Sequence, residues 1–292
     1  MDKDIQDYRI RSLRREKPIS TATERAYKQA KYNFIFSGGR LPASETMVLN
    51  YIADLSSAYS FNTISQRIAA LSRWHHDQGF NDPTKASVVR QALVEARRIC
   101  KIAAKNHLPL DFDLFDIIMN THESRLQLSI RKSQNEQLLR MRRDKAIFSL
   151  GFWGGLRSGN LNSLMIEHIS ITSTGISIYR GSGQQKSILS IPPMEKHCPV
   201  QAMEQWLNAS GLTTGIAFPA INRWGVIDNT KRAQINETLR RLAKQAEVNV
   251  DFTSNSLRVG FAEWAYSQGW NFMDIMNHIG WTPALAKLKY AR

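Results

Sequence analysis

Two arginines, a tryptophan and a tyrosine stand in an order that suits phosphodiester chemistry. Arg157 follows a glycine pair in "GGLRSGNL", and Arg258 sits in "NSLRVGF". Trp281 and Tyr290 lie 23 and 32 residues beyond Arg258, in "IGWTPALAKLKYAR". Transesterification at a phosphodiester builds about two negative charges on a five-coordinate phosphorus, and a guanidinium fork meets that charge better than a point cation. A tyrosine hydroxyl can attack and hold the phosphoryl group covalently. Its free pKa is about 10, so neighbouring cations favour the phenolate it needs. The departing 5′ oxygen needs a proton, which a mobile lysine can supply. Lys186, on the glycine-rich stretch "GSGQQK", is the only lysine between Glu167 and Glu195. Each residue taken singly has a plain structural role, as a surface tyrosine, a salt-bridged arginine or a core tryptophan; the joint order carries the assignment.

These side chains need a frame. "RDKAIFSLGFWGG" is a helix stopped by paired glycines, just ahead of Arg157. Three β-like runs follow, "ISIT", "GISIYR" and "SILSIP", the last two flanking the tip that carries Lys186. Helical patterns resume in "PVQAMEQWLNAS", "RAQINETLRRLAKQAE", "SLRVGFAEWAYSQG", "NFMDIMNHIG" and "PALAKLKYA". The expectation is a mainly α protein with one small antiparallel β-sheet, an α+β fold.

The first half reads as helices only. Thr21 and Glu24 fit a capping box opening the first, and Gly38 and Gly39 close it. Two more run over about 44–57 and 62–78, and His75 and His76 are expected on the helix surface. The fourth, "TKASVVRQALVEARRICKIAAKNH", places Val89, Ala92, Leu93, Ala96, Ile99, Cys100 and Ala103 on one face. Arg90, Arg97, Lys101 and Lys105 line the opposite face. A one-signed stripe suits a helix laid along DNA phosphates, although a charged face is also what a merely solvated helix shows.

The expected organisation is a flexible basic arm over 1–18, a helical DNA-binding domain over 19–107, a linker region over 108–125 and a catalytic domain over 126–292. The chain has 292 residues and a formal charge of +14, with 39 lysines and arginines against 25 acids. That surplus points to a polyanion such as DNA. No apolar run is long enough to span a membrane, and the charged N-terminus lacks the apolar core of a secretory signal. The only two cysteines, Cys100 and Cys198, form no CxxC pair and suit a reducing cytoplasm. His197 beside Cys198 has no second pair nearby, so no metal site is expected; the thiol is read as partly buried and the imidazole as surface.

At this point the chain resembles the tyrosine recombinase (phage-type integrase) family over nearly its whole length. "GLRSGNL" is similar to the family's first-arginine box, "NSLRVGF" to its His-x-x-Arg box and "IGWTPALAKLKY" to its closing box. "STATERAYKQAKYNFIF", "NTISQRIAALSRWHHDQG" and "DPTKA" resemble its core-binding domain. Trp281, where many members have histidine, resembles the Cre-like branch. The resemblance implies Tyr290 as nucleophile, Arg157 and Arg258 clamping the scissile phosphate, Lys186 as general acid and Trp281 donating its indole N–H. It implies two domains clamping duplex DNA, a homo-tetramer on two sites, and neither metal nor ATP as cofactor. Two positions depart from the pattern: Asn255 stands where members usually have histidine, and Asn160 where they have an acid. Asparagine donates a hydrogen bond but takes up no proton near neutral pH. His278 is a candidate substitute base, or simply a packed residue. Only Ala291 and Arg292 follow Tyr290, so the expectation is a monomer that assembles on DNA. Two alternatives stay open: a type IB topoisomerase-like enzyme that relaxes supercoils, and a DNA-binding protein that has lost catalysis.

Overall fold

The computed structural model describes residues 20–102, 109–133, 135–180, 187–250 and 252–281. The basic arm, Lys105, the hairpin tip with Lys186 and the segment with Tyr290 lie outside the described residues. The chain divides into two compact units, Met1–Asn106 and His107–Arg292. The fold is mainly helical with small antiparallel sheets.

The first unit holds α1 (Thr21–Phe36), α2 (Glu45–Ala58), α3 (Phe61–Asp77) and α4 (Ser87–Ile102), with a 3-10 turn at Pro83–Lys85. Serines start the first three: the hydroxyls of Ser20, Ser44 and Ser60 accept from the amides of Thr23, Met47 and Thr63. The cap of α1 is therefore Ser20, one residue before the expected Thr21. Phe34, Tyr51, Ile64, Leu71, Val89 and Ala96 fill the core, with Phe34 edge-on to Tyr51 at 5.0 Å. His75 is in this core and not on the surface. Its Nε2 accepts from the amide of Ala43 at 2.9 Å, which leaves Nδ1 to donate to Leu71 O at 2.8 Å. Ile99, expected inward on α4, is exposed.

The second unit opens with α5 (Phe112–Arg131), capped by Asp111, whose carboxylate accepts from the amide of Leu114. The expected linker is thus helix from residue 112 onward. Phe115, Ile118, Met119, His122 and Leu126 form its buried stripe. Next come α6 (Asn135–Trp153), α7 (Ser158–Ser163), β1 (Ile169–Thr172), β2 (Gly175–Arg180), β3 (Ser187–Ile191) and α8 (Pro199–Ser210). The chain continues through β4 (Pro219–Ile221), β5 (Ile227–Arg232), α9 (Ile235–Gln245), α10 (Ser254–Ser267) and α11 (Phe272–Ile279). β1, β2 and β3 make an antiparallel meander in which Ile178 lies opposite Ile169 and Leu189, and Arg180 opposite Ser187. β4 and β5 form a second sheet that the expected single sheet omitted. β5, "IDNTKR", has an exposed polar stretch without the alternation that marks a half-buried strand.

Aromatic packing sets the core beneath the candidate site. Phe115 stacks on Phe152 at 4.0 Å, and Trp153 meets Trp264 edge-on at 4.8 Å. On α10, Gly260 permits backbone contact, since a Cβ there would lie 1.6 Å from Leu110 O. His197 is not a surface imidazole: its Nε2 lies 2.8 Å from Asp116 and its ring is edge-on to Phe115, beside a buried Cys198. Among the described residues there is no His, Cys, Asp or Glu cluster able to hold a metal ion, and no helix long and apolar enough to cross a membrane.

Candidate active site

The C-terminal ends of α6, β2 and α11 and the N-terminal half of α10 meet around a cluster of arginines. α6 stops at Gly154 and Gly155, and Gly155 turns with φ +52° against Ile279, whose Cγ2 would lie 2.5 Å from a Cβ at that position. A side chain there would therefore clash as well as strain the backbone. The turn leads to Arg157, exposed at the start of α7. Arg258 sits on α10 below it and is 2% exposed. One of its N–H groups donates to Gly155 O at 3.0 Å, whereas Nε and Nη2 are buried and have no hydrogen-bond partner among the described residues. A buried donor left unpaired costs about 1–3 kcal/mol, more when charged, so this guanidinium is held ready for an acceptor.

Trp281 completes this side. Gly280 ends α11 in the left-handed conformation (φ +65°), and the amides of Gly280 and Trp281 both return to Met276 O. The turn brings the Trp281 ring to 5.8 Å from the Arg258 guanidinium carbon.

A third arginine, Arg180, joins from the end of β2. Burial lowers its pKa to about 10, with the charge of Arg157 adding to the effect. Burial lowers that of Arg258 to about 9, with the charges of Arg157 and Arg180 adding to it. Three cations thus feel one another, and among the described residues none has a carboxylate at ion-pair distance. The contrast with Arg143, buried in the same unit, is direct: it pairs with Asp144 at 2.9 Å. Like charges collected without a counter-charge are electrostatically costly unless an anion joins them.

Of the residues expected at the site, the structure brings together Arg157, Arg258 and Trp281. Asn255 is exposed on the first turn of α10, three residues before Arg258, and that helix start is fixed by a reciprocal bond pair between Thr253 and Ser256. Asn160 is exposed on α7 and lines a cleft with His168, Tyr179 and Arg180. Lys186 and Tyr290 lie outside the described residues. His278 is packed: its Nε2 lies 2.8 Å from Trp153 O, its ring stacks on Phe261 at 4.6 Å, and Trp270 stands edge-on. Burial, reinforced by the Arg180 charge, lowers its pKa. Arg180 is the residue the sequence analysis missed. Its signal was in the strand alternation, because Ile176 and Ile178 face the core and period two puts an arginine next on that face.

In the first unit, Arg90 and Arg97 are exposed on α4, with Arg97 5.6 Å from the Phe61 ring. The acid of this helix, Glu95, pairs with Arg98 at 3.0 Å and leaves the stripe one-signed. The side chains of Lys101 and Lys105 lie outside the described residues. If the stripe meets phosphates, Arg97→Ala with Lys101→Ala lowers the log–log salt slope of DNA binding by about one unit per lost contact. A titration at several salt concentrations measures it, and an unchanged slope would mark the stripe as merely solvated.

Comparison with known proteins gives concordant matches. The sequence profile of the phage integrase family matches residues 128–291. An integrase/recombinase XerD homologue of Selenomonas ruminantium is 28% identical over 250 residues, covering 81% of this chain and 70% of that protein. Among solved structures, a lambda integrase dimer bound to a COC′ core site superposes with a TM-score of 0.59 at 14% identity, covering 96% of this chain and 74% of that one. A XerH site-specific recombinase bound to its difH substrate, in a pre-cleavage complex, gives 0.60 at 15% identity, covering 92% and 76%. The Tn1549 transposon integrase with circular intermediate DNA gives 0.57 at 15%, covering 97% and 94%. At these identities the structural matches establish the fold.

Proposed function

Because the chain belongs to the phage integrase family, we propose that it is a site-specific DNA recombinase that cuts and rejoins strands through a 3′-phosphotyrosyl intermediate. The observation that carries this reading is the buried Arg258, with two guanidinium nitrogens unpartnered beside Arg157 and Arg180 and, among the described residues, no carboxylate to neutralise them. Such a pocket favours a phosphate whose charge grows during reaction.

In the proposed reaction the Tyr290 phenolate attacks the scissile phosphorus. The bond from phosphorus to the 5′ oxygen breaks as the new bond to tyrosine forms, and Lys186 protonates the departing oxygen. Arg157 and Arg258 neutralise the non-bridging oxygens, and the Trp281 indole N–H adds a donor, as in a Cre-like branch of the family. The phosphoester energy stays in the covalent link, so attack by the 5′ hydroxyl of a partner strand reverses the step and completes exchange. The helices of residues 19–107 serve as the core-binding domain, and four protomers on two sites form the working assembly.

Asn255 fits a donor that stabilises charge without moving a proton. Asn255→Ala then slows cleavage by about 10- to 1000-fold, the range for one lost donor. Asn255→His alone stays within about tenfold of the parent, because nothing acidic at position 160 orients the ring. Asn255→His with Asn160→Glu exceeds either single change, since the carboxylate fixes the tautomer. With no histidine base at position 255, cleavage rises with pH as the tyrosine ionises. Single-turnover cleavage of one suicide duplex by these proteins is the test. A second reading, DNA binding without catalysis, rests on the exposed Asn255 and Asn160; it gains if the parent forms no adduct on that duplex.

A further inference from the structure

Arg180 is a partly buried cation balanced in an unusual way. Its Nη2 donates to Gly154 O at 3.2 Å, just past the end of α6, and its Nη1 donates to His278 O at 3.1 Å, in the last turn of α11. Helix C-termini carry partial negative charge, so two dipole ends hold this guanidinium where a carboxylate would ordinarily do so. The charge is steadied in place without being cancelled. Its Nε is buried and has no hydrogen-bond partner among the described residues.

Each carbonyl lies three residues before a group of the proposed chemistry, Gly154 before Arg157 and His278 before Trp281. Gly154 precedes Gly155, whose own carbonyl holds Arg258 and whose turn leads into Arg157. His278 precedes the Gly280 turn into Trp281, and that turn lies close to Arg180: a Cβ built on Gly280 would be 3.7 Å from Nη1. One side chain therefore bridges the two turns that set the arginine clamp and the tryptophan, from a strand leading into the hairpin tip.

Resting on the function proposed above, we propose that Arg180 is a positioning residue for strand cleavage. It ties the turn carrying Arg157 to the end of α11 carrying Trp281, and it places uncancelled positive charge behind the scissile phosphate. A lysine could supply the charge but not the planar fork that reaches two carbonyls at once.

Arg180→Met keeps an unbranched side chain of similar reach and removes both the fork and the charge. Its single-turnover cleavage of a suicide duplex should fall by about 100- to 1000-fold, the scale of lost charge stabilisation, with DNA affinity within about threefold because other phosphate contacts persist. Arg180→Lys should recover less than about tenfold of that loss. On the same duplex carrying a neutral methylphosphonate at the scissile position, the loss from Arg180→Met should shrink by at least about tenfold, since one negative charge has left the substrate. Equal losses on both duplexes would make Arg180 a structural tie only and overturn the inference. So would parent-like cleavage of the phosphodiester by Arg180→Met. Absence of an adduct from the parent itself would instead overturn the function proposed above, and this inference with it.

Discussion

Tyr290→Phe abolishes the covalent protein–DNA adduct and leaves DNA binding nearly unchanged. The substitution removes one oxygen. Without it the arginine clamp still holds the phosphate, but no protein nucleophile replaces the lost hydroxyl, and adduct formation falls by at least about 10⁴-fold, the scale of a lost nucleophile. Affinity stays within about threefold, because contacts to many phosphates dominate binding to duplex DNA. The comparison is adduct formed on a nicked suicide duplex, read on a denaturing gel, against binding of the intact duplex measured in parallel. Adduct surviving in the phenylalanine variant would remove Tyr290 from the reaction.

Arg258→Met separates activity from stability. Cleavage falls by about 10³- to 10⁵-fold, as for other arginines that meet transition-state charge on phosphorus. Folding stability does not fall with it and rises by up to about 1 kcal/mol, because a buried cation with two unpartnered nitrogens is replaced by an apolar chain of similar volume. The lost bond to Gly155 O offsets part of that gain. Single-turnover cleavage and thermal unfolding of one preparation measure both. A variant that cleaves like the parent, or one that unfolds far more easily, would contradict the view that Arg258 is held in strained readiness for an anion.

Much of the frame was legible because its signals are local. The glycine pair after Trp153 marks the turn into Arg157, and the isoleucine alternation of "GISIYR" marks β2. Apolar spacing marked the helices of the first unit, although the first is capped by Ser20 and not by Thr21. What escaped was decided by distant partners. His75 follows the inward spacing of α3, yet only the fold supplies the Ala43 amide that its Nε2 accepts from, 32 residues away in sequence. His197 gains Asp116 from α5, whose start follows Pro109 and a run of acids that read locally as linker. β4 and β5 pair around an Asn222–Gly225 turn with few apolar residues facing inward. Arg180 was passed over because an arginine at a strand end reads as a solvated terminus, whereas here two helix ends arrive to receive it.

Covalent chemistry on DNA is tested most directly by trapping the parent protein on a nicked suicide duplex, digesting the adduct and mapping both the attached peptide and the attached DNA end. One modified peptide containing Tyr290 is expected, joined to a 3′ phosphate, with a free 5′ hydroxyl on the released strand. Attachment at another residue, attachment to a 5′ phosphate, or no adduct on any duplex that the protein binds would contradict it.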